Sequence, residues 1–463
     1  MQSNATPHGL LAVPPREQVK AMGVASLGGM LEYFEFIIYV FLAPQISQHF
    51  SSPDMPEWLR LMQTFGIFAA GFLIRPIGGI LMAQLGDLVG RKRIFTLTLA
   101  LMAGPTLAIG LLPGYESIGI WAPVLLLICR LLQGISLGGE LPGAISFVSE
   151  QVSSRRLAFA LGVLASSVCL GSLSGSIVVS GLSRLLGAEA MMEYGWRIPF
   201  LIGGVFGLCS VYLRRFTHET PVFEAMKAQR MLSEHPPFSV LVSKHRPNLL
   251  VGMILAGTTT IVAAATQQFP ITFFVTMRHL PMEEVTGIQT LLIAFTMVGN
   301  VLGGFLVSWR VLSQLTAYII FQIITVAGLF WAFNQSTVEG LVLPFTCLGI
   351  SSGCAMGLSL SFLARAFPAQ LRYTGLATCY NIPIAILGGT ALIILTYVSR
   401  FEPQYAAVYP AVFCLLSIIG ALVLWPRRHA ISPFGQVTPD TPRGDGKSTP
   451  QSAAQRPVLV QHP

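Results

Sequence analysis

Arg130-Leu-Leu-Gln-Gly-Ile-Ser-Leu-Gly-Gly-Glu140 is a polar stretch inside an otherwise apolar run. Between Ile118 and Val148, Arg130 and Glu140 are the only charged residues. A charge at the centre of a bilayer-spanning helix costs about 2.5–3.5 kcal/mol on insertion scales. Two such charges in one predicted helix therefore indicate a polar pathway through a membrane, which is typical of transport.

The composition of the whole chain is that of a membrane protein. Of its 463 residues, 53% are hydrophobic and only 10% are charged, whereas a soluble domain carries roughly 25% charged residues. The net charge of +8 does not indicate nucleic-acid binding, because the basic residues are scattered among loops. The seven cysteines lie in apolar runs without a CxxC pair, so we expect no disulfide, metal or cofactor. An enzyme is the least favoured class, since no nucleophile–base pair is visible.

Twelve apolar segments have about the 20 residues that a membrane-spanning helix needs. We therefore predict an all-α membrane protein with twelve transmembrane helices in two six-helix bundles. The predicted parts are an N-terminal arm, a first bundle, a central loop, a second bundle and a disordered tail, at residues 1–19, 20–213, 214–246, 247–426 and 427–463. The tail is rich in Pro, Gln, Thr and Ser, which is typical of disorder.

The distribution of Lys and Arg among the loops predicts the orientation. Most of them fall on one side of the predicted bundle, and only Arg60, Arg184, Arg278 and Arg400 fall on the other. Under the positive-inside rule, the arm, the central loop and the tail are then cytoplasmic. We expect a monomer in the lipid bilayer of the cell (inner) membrane, and we expect no signal peptide.

One face of the first predicted span, 20–43, carries residues at helical spacing: Gly28, Glu32, Glu35 and Tyr39. Lipid cannot accommodate two ionised carboxylates, so we expect this face to point into the bundle. Desolvation and mutual repulsion both favour a protonated carboxyl group, so Glu35 and Glu32 are the candidate proton-coupling residues. The alternative is a fixed ion pair with Arg130 or Arg75.

The fourth predicted span, 119–147, places Arg130, Gln133 and Glu140 on one face. Arg130 can bind a substrate carboxylate with two hydrogen bonds, or can be the counter-ion of a glutamate in the first span. A static buried ion pair is the alternative, and Glu140 can serve packing or an inner gate. Gly134 and Gly138 form a GxxxG pair that predicts close helix packing.

Isolated polar residues in other apolar spans complete the predicted substrate site. With Arg130 and Gln133, the candidate substrate-binding residues are Tyr39, Gln267, Tyr380 and Asn381. A hydrogen bond between helices is the alternative for each of them. We expect Pro383 to break the helix locally beside Asn381.

The loop Gly86-Asp-Leu-Val-Gly-Arg-Lys-Arg93 joins the second and third predicted spans. Asp87 can hold the N-terminus of a neighbouring helix, and the basic residues can reach an acid such as Glu150. We therefore predict a cytoplasmic gate made of Asp87, Arg91, Lys92, Arg93, Glu150 and Arg155. Simple positive-inside anchoring is the alternative.

This loop resembles the cytoplasmic signature of the major facilitator superfamily. The chain resembles its metabolite:proton symporters, which include proline/betaine, α-ketoglutarate, shikimate and citrate permeases. The resemblance covers nearly all of residues 20–425 and rests on Glu32–Tyr39, Arg75–Gly79, Gly86–Arg93, Arg130–Glu140, Tyr194–Phe200, Glu219–Phe223 and Arg372–Gly375 with Asn381.

The resemblance implies alternating access and proton-coupled uptake of a small organic acid or a zwitterionic osmolyte. Glu35 stands where many relatives have Asp, which makes it the first candidate for the proton site. Ala83 and Leu88 depart from the loop signature, and the loop after the eighth span lacks the second charged motif. Efflux, a proton-independent facilitator and a non-transporting receptor or scaffold are the alternatives.

Overall fold

The computed structural model describes residues 15–214, 219–228 and 237–424. The N-terminal half, here the N-half, contains α1 (Pro15–Phe41), α2 (Glu57–Val89), α3 (Arg91–Leu111), α4 (Trp121–Gln151), α5 (Leu157–Ala190) and α6 (Arg197–Arg214). The C-terminal half, here the C-half, contains α7 (Arg246–Ala263), α8 (Met282–Ser308), α9 (Gln314–Phe333), α10 (Val338–Arg365), α11 (Arg372–Ser399) and α12 (Tyr405–Leu424). Two wider π-helical segments, Ala264–Gln268 and Ile271–Met277, continue α7.

These helices confirm the all-α fold with up to twelve spans, in which a bent α11 counts as one. The helix α1 begins at Pro15, inside the predicted arm. Two short helices, Pro221–Ala228 and Pro237–Lys244, lie within the predicted central loop. The predicted disordered tail and the first 14 residues of the arm lie outside the described residues.

The predicted helix break at Pro383 is wrong. The chain remains helical through Pro383, and the 43° bend lies between Ala369–Gly388 and Thr390–Ser399. Membrane helices tolerate proline where neighbouring groups satisfy the freed backbone. The sequence Gly388-Gly389 marks the bend, because glycine pairs are a common cause of sharp kinks.

Each half packs mainly within itself, and two helix pairs make the largest contacts between the halves, beside smaller contacts of α5 with α10 and of α4 with α11. The helix α1 packs on α5, α2 on α4, and α3 on α6, while α8 packs on α10 and α7 on α11. Between the halves, α2 packs on α11 and α5 packs on α8. In two six-helix repeats, α2 corresponds to α8 and α5 corresponds to α11. The α2–α11 contact is therefore the counterpart of the α8–α5 contact, as expected of two structural repeats.

The glycine pair in α4 permits close packing, as its spacing predicted. A side chain at Gly138 would collide with backbone atoms of Arg75 and Gly79 in α2. A side chain at Gly134 would collide with the carbonyl of Gly71, also in α2. The two glycines therefore bring the polar residues of α2 and α4 close together.

The largest apolar core that the two halves share lies at one end of the bundle. This end, here the basic end, carries the α2–α3, α4–α5, α8–α9 and α10–α11 connections. Its core combines residues of both halves, including Phe95, Leu141, Leu363 and Phe367. Towards the opposite end, Phe50 and Trp196 belong to an N-half cluster, whereas Phe269 and Phe333 belong to a separate C-half cluster. The described residues are therefore packed together across the halves at the basic end.

Candidate functional site

Arg130 lies in the interior of the N-half, at the centre of a polar network. Its guanidinium lies over the ring of Tyr39, 3.5 Å from the centroid, and its Nη1 donates to Gln133 Oε1 at 2.9 Å. The side chain is buried, yet its Nε and Nη2 have no hydrogen-bond partner among the described residues. Two charged donors are therefore available to an anionic ligand group.

Glu35 is joined to Arg130 through an amide rather than through a direct ion pair. Gln133 Nε2 donates to Glu35 Oε2 at 3.3 Å and contacts Thr106 Oγ1 at 2.6 Å. The Thr106 hydroxyl also donates to Glu35 Oε2. The carboxylate is therefore stabilised by neutral donors, and a change in its protonation alters the hydrogen bonds that position Gln133.

A second polar layer lies beside the first and extends to the C-half. Arg75 Nη2 lies 3.6 Å from Glu32 Oε1, and Arg75 Nε donates to Asn381 Oδ1 at 3.4 Å. All three side chains are buried. This is the Glu32–Arg75 pair that the sequence left open as an alternative to a proton site.

The faces predicted from α1 and α4 meet at one cavity in the N-half. Its lining comprises Glu32, Glu35, Phe68, Gly71, Phe72, Met102, Arg130, Gln133 and Leu137. Phe68 and Phe72 are in ring contact at 5.2 Å, and the Arg130 guanidinium lies 5.5 Å from the Phe68 ring. The cavity therefore combines carboxylates, an arginine and aromatic faces.

Gln267 lines a different cavity, which lies in the C-half. The lining of this cavity consists of neutral side chains: Thr258, Thr259, Val262, Ala263, Thr266, Gln267, Thr296, Gln322, Ser352, Ala355 and Met356. The carbonyl of Gln267 accepts a hydrogen bond from Gln289 Nε2. This surface offers hydroxyl and amide groups to a ligand and carries no charge.

The remaining predicted substrate residues have protein partners in this conformation. The Tyr39 hydroxyl donates to the carbonyl of Thr64 at 3.1 Å, and Asn381 Nδ2 donates to the carbonyl of Gly138 at 2.7 Å. Tyr380 is buried, and its hydroxyl interacts with that of Tyr33 in α1. A role in substrate binding stays a prediction for these three residues.

The predicted gate residues form a buried cluster across the halves at the basic end. Asp87 Oδ2 accepts from the backbone N–H and the hydroxyl of Thr374, at 2.9 and 2.6 Å, in the first turn of α11. Arg91 Nη1 lies 2.5 Å from Asp87 Oδ1, and its Nε lies 3.4 Å from Glu150 Oε1. Arg372 Nη1 donates to the same Glu150 oxygen at 3.3 Å. Asp87 thus holds the N-terminus of a helix of the other half.

The other predicted gate residues lie around this cluster. The backbone N–H of Lys92 donates to Glu219 Oε1 at 3.0 Å, and the Arg93 side chain is exposed. Arg155 Nε donates across the halves to the carbonyl of Ser308 at 3.4 Å. Arg365 Nη2 makes the converse contact with the carbonyl of Ser154 at 3.1 Å. Hydrogen bonds from both halves therefore close the basic end.

Sequence reasoning missed several partners of the polar residues. Glu140 pairs with Arg214 of α6 at 2.6 Å and accepts from Thr98 Oγ1 at 2.7 Å. Arg214 is the first residue of the predicted central loop, where the positive-inside rule alone accounts for a basic residue. Thr106, which contacts Glu35, carries no signal beyond being a hydroxyl in an apolar span.

Two six-helix bundles that pack together at one end, with a charged cavity inside one of them, are typical of a membrane transporter. The chain belongs to the Major Facilitator Superfamily, whose family model matches residues 25–387. It is a multi-pass membrane transporter and not an enzyme.

Individual relatives agree with this assignment. The chain is 31% identical to the proline/betaine transporter of Salmonella typhimurium over 439 residues, covering 91% of this chain and 85% of that one. It is also 31% identical to the ectoine/proline transporter ProP of Corynebacterium glutamicum over 448 residues, covering 91% and 86%. The solved proton:xylose symporter XylE shares the fold, with a TM-score of 0.70 at 14% identity over 89% of this chain and 96% of that one.

Proposed function

We propose that the chain is a proton-coupled symporter that carries a small zwitterionic osmolyte of the proline or betaine type into the cell. The observation that carries this proposal is the N-half cavity, where Arg130 presents unpartnered donors beside Glu35 and two phenylalanine rings. The proposed setting is the inner membrane, with both termini cytoplasmic and the monomer as the working unit.

The side chains that line the cavity offer suitable chemistry for both ends of such a substrate. A carboxylate can accept two hydrogen bonds from Arg130 Nε and Nη2. A methylated ammonium group can lie against the faces of Phe68 and Phe72, because aromatic rings attract cations. A dicarboxylate would instead bring a second negative charge towards Glu32 and Glu35, so these residues favour a zwitterion over an organic diacid.

Glu35 is the proposed proton site. While it is ionised, Thr106 and Gln133 both donate to its Oε2. A proton on Glu35 removes the negative charge nearest to Arg130 in this network, so the guanidinium then favours the substrate carboxylate as its partner. Glu32, which is already held by Arg75, is the second candidate.

The proposed cycle uses the gate residues in alternating access. With the basic end in the cytoplasm, the closed end of this structure is the inner end, and the cavity loads from outside. Opening the inner end breaks the Asp87–Thr374, Arg91–Ala369 and Arg372–Glu150 contacts between the halves. A membrane potential of 100 mV supplies about 2.3 kcal/mol per charge, against about 1.4 kcal/mol for tenfold accumulation.

Uptake into proteoliposomes tests this function. Radiolabelled proline, glycine betaine and a panel of organic acids are offered with and without an inward proton gradient. We expect gradient-driven accumulation of the two zwitterions. Equal uptake without a gradient would indicate a facilitator, expulsion would indicate efflux, and binding without flux would indicate a receptor or scaffold.

A further inference from the structure

The Glu32–Arg75–Asn381 layer links the cavity to the interface between the halves. Glu32 lines the N-half cavity, whereas Asn381 belongs to α11 of the C-half and donates to the carbonyl of Gly138. Arg75 contacts both, through Nη2 and Nε respectively. The interactions of Arg75 therefore depend both on the charge of Glu32 at the cavity and on the position of α11 in the C-half.

The pairing in this layer is loose. Both oxygens of Glu32 and the Nη2 of Arg75 are buried and have no hydrogen-bond partner among the described residues. Their separation of 3.6 Å leaves a Coulombic attraction as the main interaction between them. The charge of Glu32 therefore compensates the buried cation without fixing its geometry.

Loss of the charge on Glu32 destabilises the Glu32–Arg75–Asn381 layer while the basic end is closed. A proton, or a substrate ammonium group that engages Glu32, leaves Arg75 as a buried cation whose remaining partners, the Asn381 amide and the Phe72 ring, are neutral. An uncompensated buried charge is strongly destabilising. Opening of the basic end separates α2 from α11 and admits water to Arg75, which relieves that cost.

We propose that Arg75 is a positioning residue that converts neutralisation of Glu32 into opening of the basic end. The inference rests on the proposed transport cycle and adds the means by which cavity and gate communicate. It also distinguishes Arg75 from a simple latch. A latch predicts that removing Arg75 opens the basic end, whereas our proposal predicts that removing both charges keeps it closed.

Distance measurements between spin labels test the proposal without a substrate. Labels at the exposed positions Arg93 and Val311 report the separation of the halves at the basic end, with the accessible Cys209 and Cys347 replaced by serine. We expect Glu32→Gln to shift the full-length protein towards the longer distance. We expect Glu32→Asp, which keeps the charge, to leave the parent distribution unchanged.

The double variant Glu32→Gln/Arg75→Gln is the decisive one. It has no charge left in the Glu32–Arg75–Asn381 layer, so we expect it to return to the parent distribution. An open double variant would overturn the proposal whether or not the single variant folds. A control is Glu140→Gln, which removes the carboxylate partner of Arg214 inside the N-half, while Arg214 Nη1 still donates to the carbonyl of Phe95. An equal shift in this control would reduce the effect of Glu32→Gln to general destabilisation and would also overturn the proposal. Failure of the parent to accumulate proline or betaine would refute the proposed substrate and leave this result standing.

Discussion

The N-half and the C-half of the bundle differ in the chemistry of their interiors. Among the described residues, all buried charged side chains belong to the N-half: Glu32, Glu35, Arg75, Asp87, Arg91, Arg130, Glu140, Glu150 and Arg214. The described part of the C-half buries neutral groups instead, such as Gln322 and Asn381. The two halves, which share one architecture, thus differ in the charge of their interiors. We infer that the N-half handles protons and carboxylates, while the C-half supplies neutral contacts and shape.

The largest expected effect is that of Glu35→Gln. The amide can still accept a hydrogen bond from Thr106 but cannot carry a proton, so we expect gradient-driven accumulation of glycine betaine to fall to the level of protein-free liposomes. Thr296→Val, in the wall of the C-half cavity, is the control and should retain accumulation. Accumulation that survives both Glu35→Gln and Glu32→Gln would refute the proton assignment.

Arg130→Lys should weaken substrate binding strongly but incompletely. Lysine keeps the charge and loses the planar pair of donors, which costs about 1.5–3 kcal/mol, or roughly 10- to 150-fold in Kd. Titration calorimetry with glycine betaine measures this change. Arg197→Lys is the matched control, because Arg197 of the same half donates to the carbonyls of Gly110 and Leu112. Equal affinity in the parent and in Arg130→Lys would limit Arg130 to a structural role.

Thr374→Val should loosen the gate by an intermediate amount. The substitution removes the hydroxyl bond to Asp87 and keeps the backbone bond, so we expect the closed basic end to lose about 1–2 kcal/mol. The Arg93/Val311 distance distribution should shift towards the open form. Thr378→Val is the control, since its hydroxyl donates within α11 to the carbonyl of Thr374. The same shift in both variants would argue against a gate at Asp87.

Thr296→Val in the C-half should have the smallest effect. Loss of one neutral hydroxyl from the cavity wall is expected to change the Kd of glycine betaine by less than about tenfold. The ratio of protons to substrate should remain that of the parent, which simultaneous pH and isotope measurements report. A change in this ratio would place part of the coupling in the C-half and break the division of tasks.

Helical spacing predicted the interior faces of α1 and α4 correctly from local sequence. Glu32, Glu35, Arg130 and Gln133 all line one cavity because a period of 3.6 residues fixes which side chains share a face. The GxxxG pair likewise predicted where α4 approaches another helix closely. Membrane helices follow such rules well, since lipid exposure penalises polar residues on the outer face.

The identity of each partner could not be predicted, because it depends on how distant helices pack. Spacing could not show that Glu140 pairs with Arg214, or that Gln133 connects Glu35 to Arg130. It also misplaced the bend of α11, since the proline is tolerated and the bend occurs at a glycine pair instead. The local sequence thus defines which face of a helix points into the bundle, and tertiary packing defines which side chains pair with each other.

We infer above all that the charged N-half couples substrate entry to proton entry. Addition of glycine betaine to proteoliposomes in weakly buffered medium, followed with an external pH electrode, tests it directly. We expect external alkalinisation with the parent protein and none with Glu35→Gln. Substrate entry without a pH change, or with acidification, would contradict it.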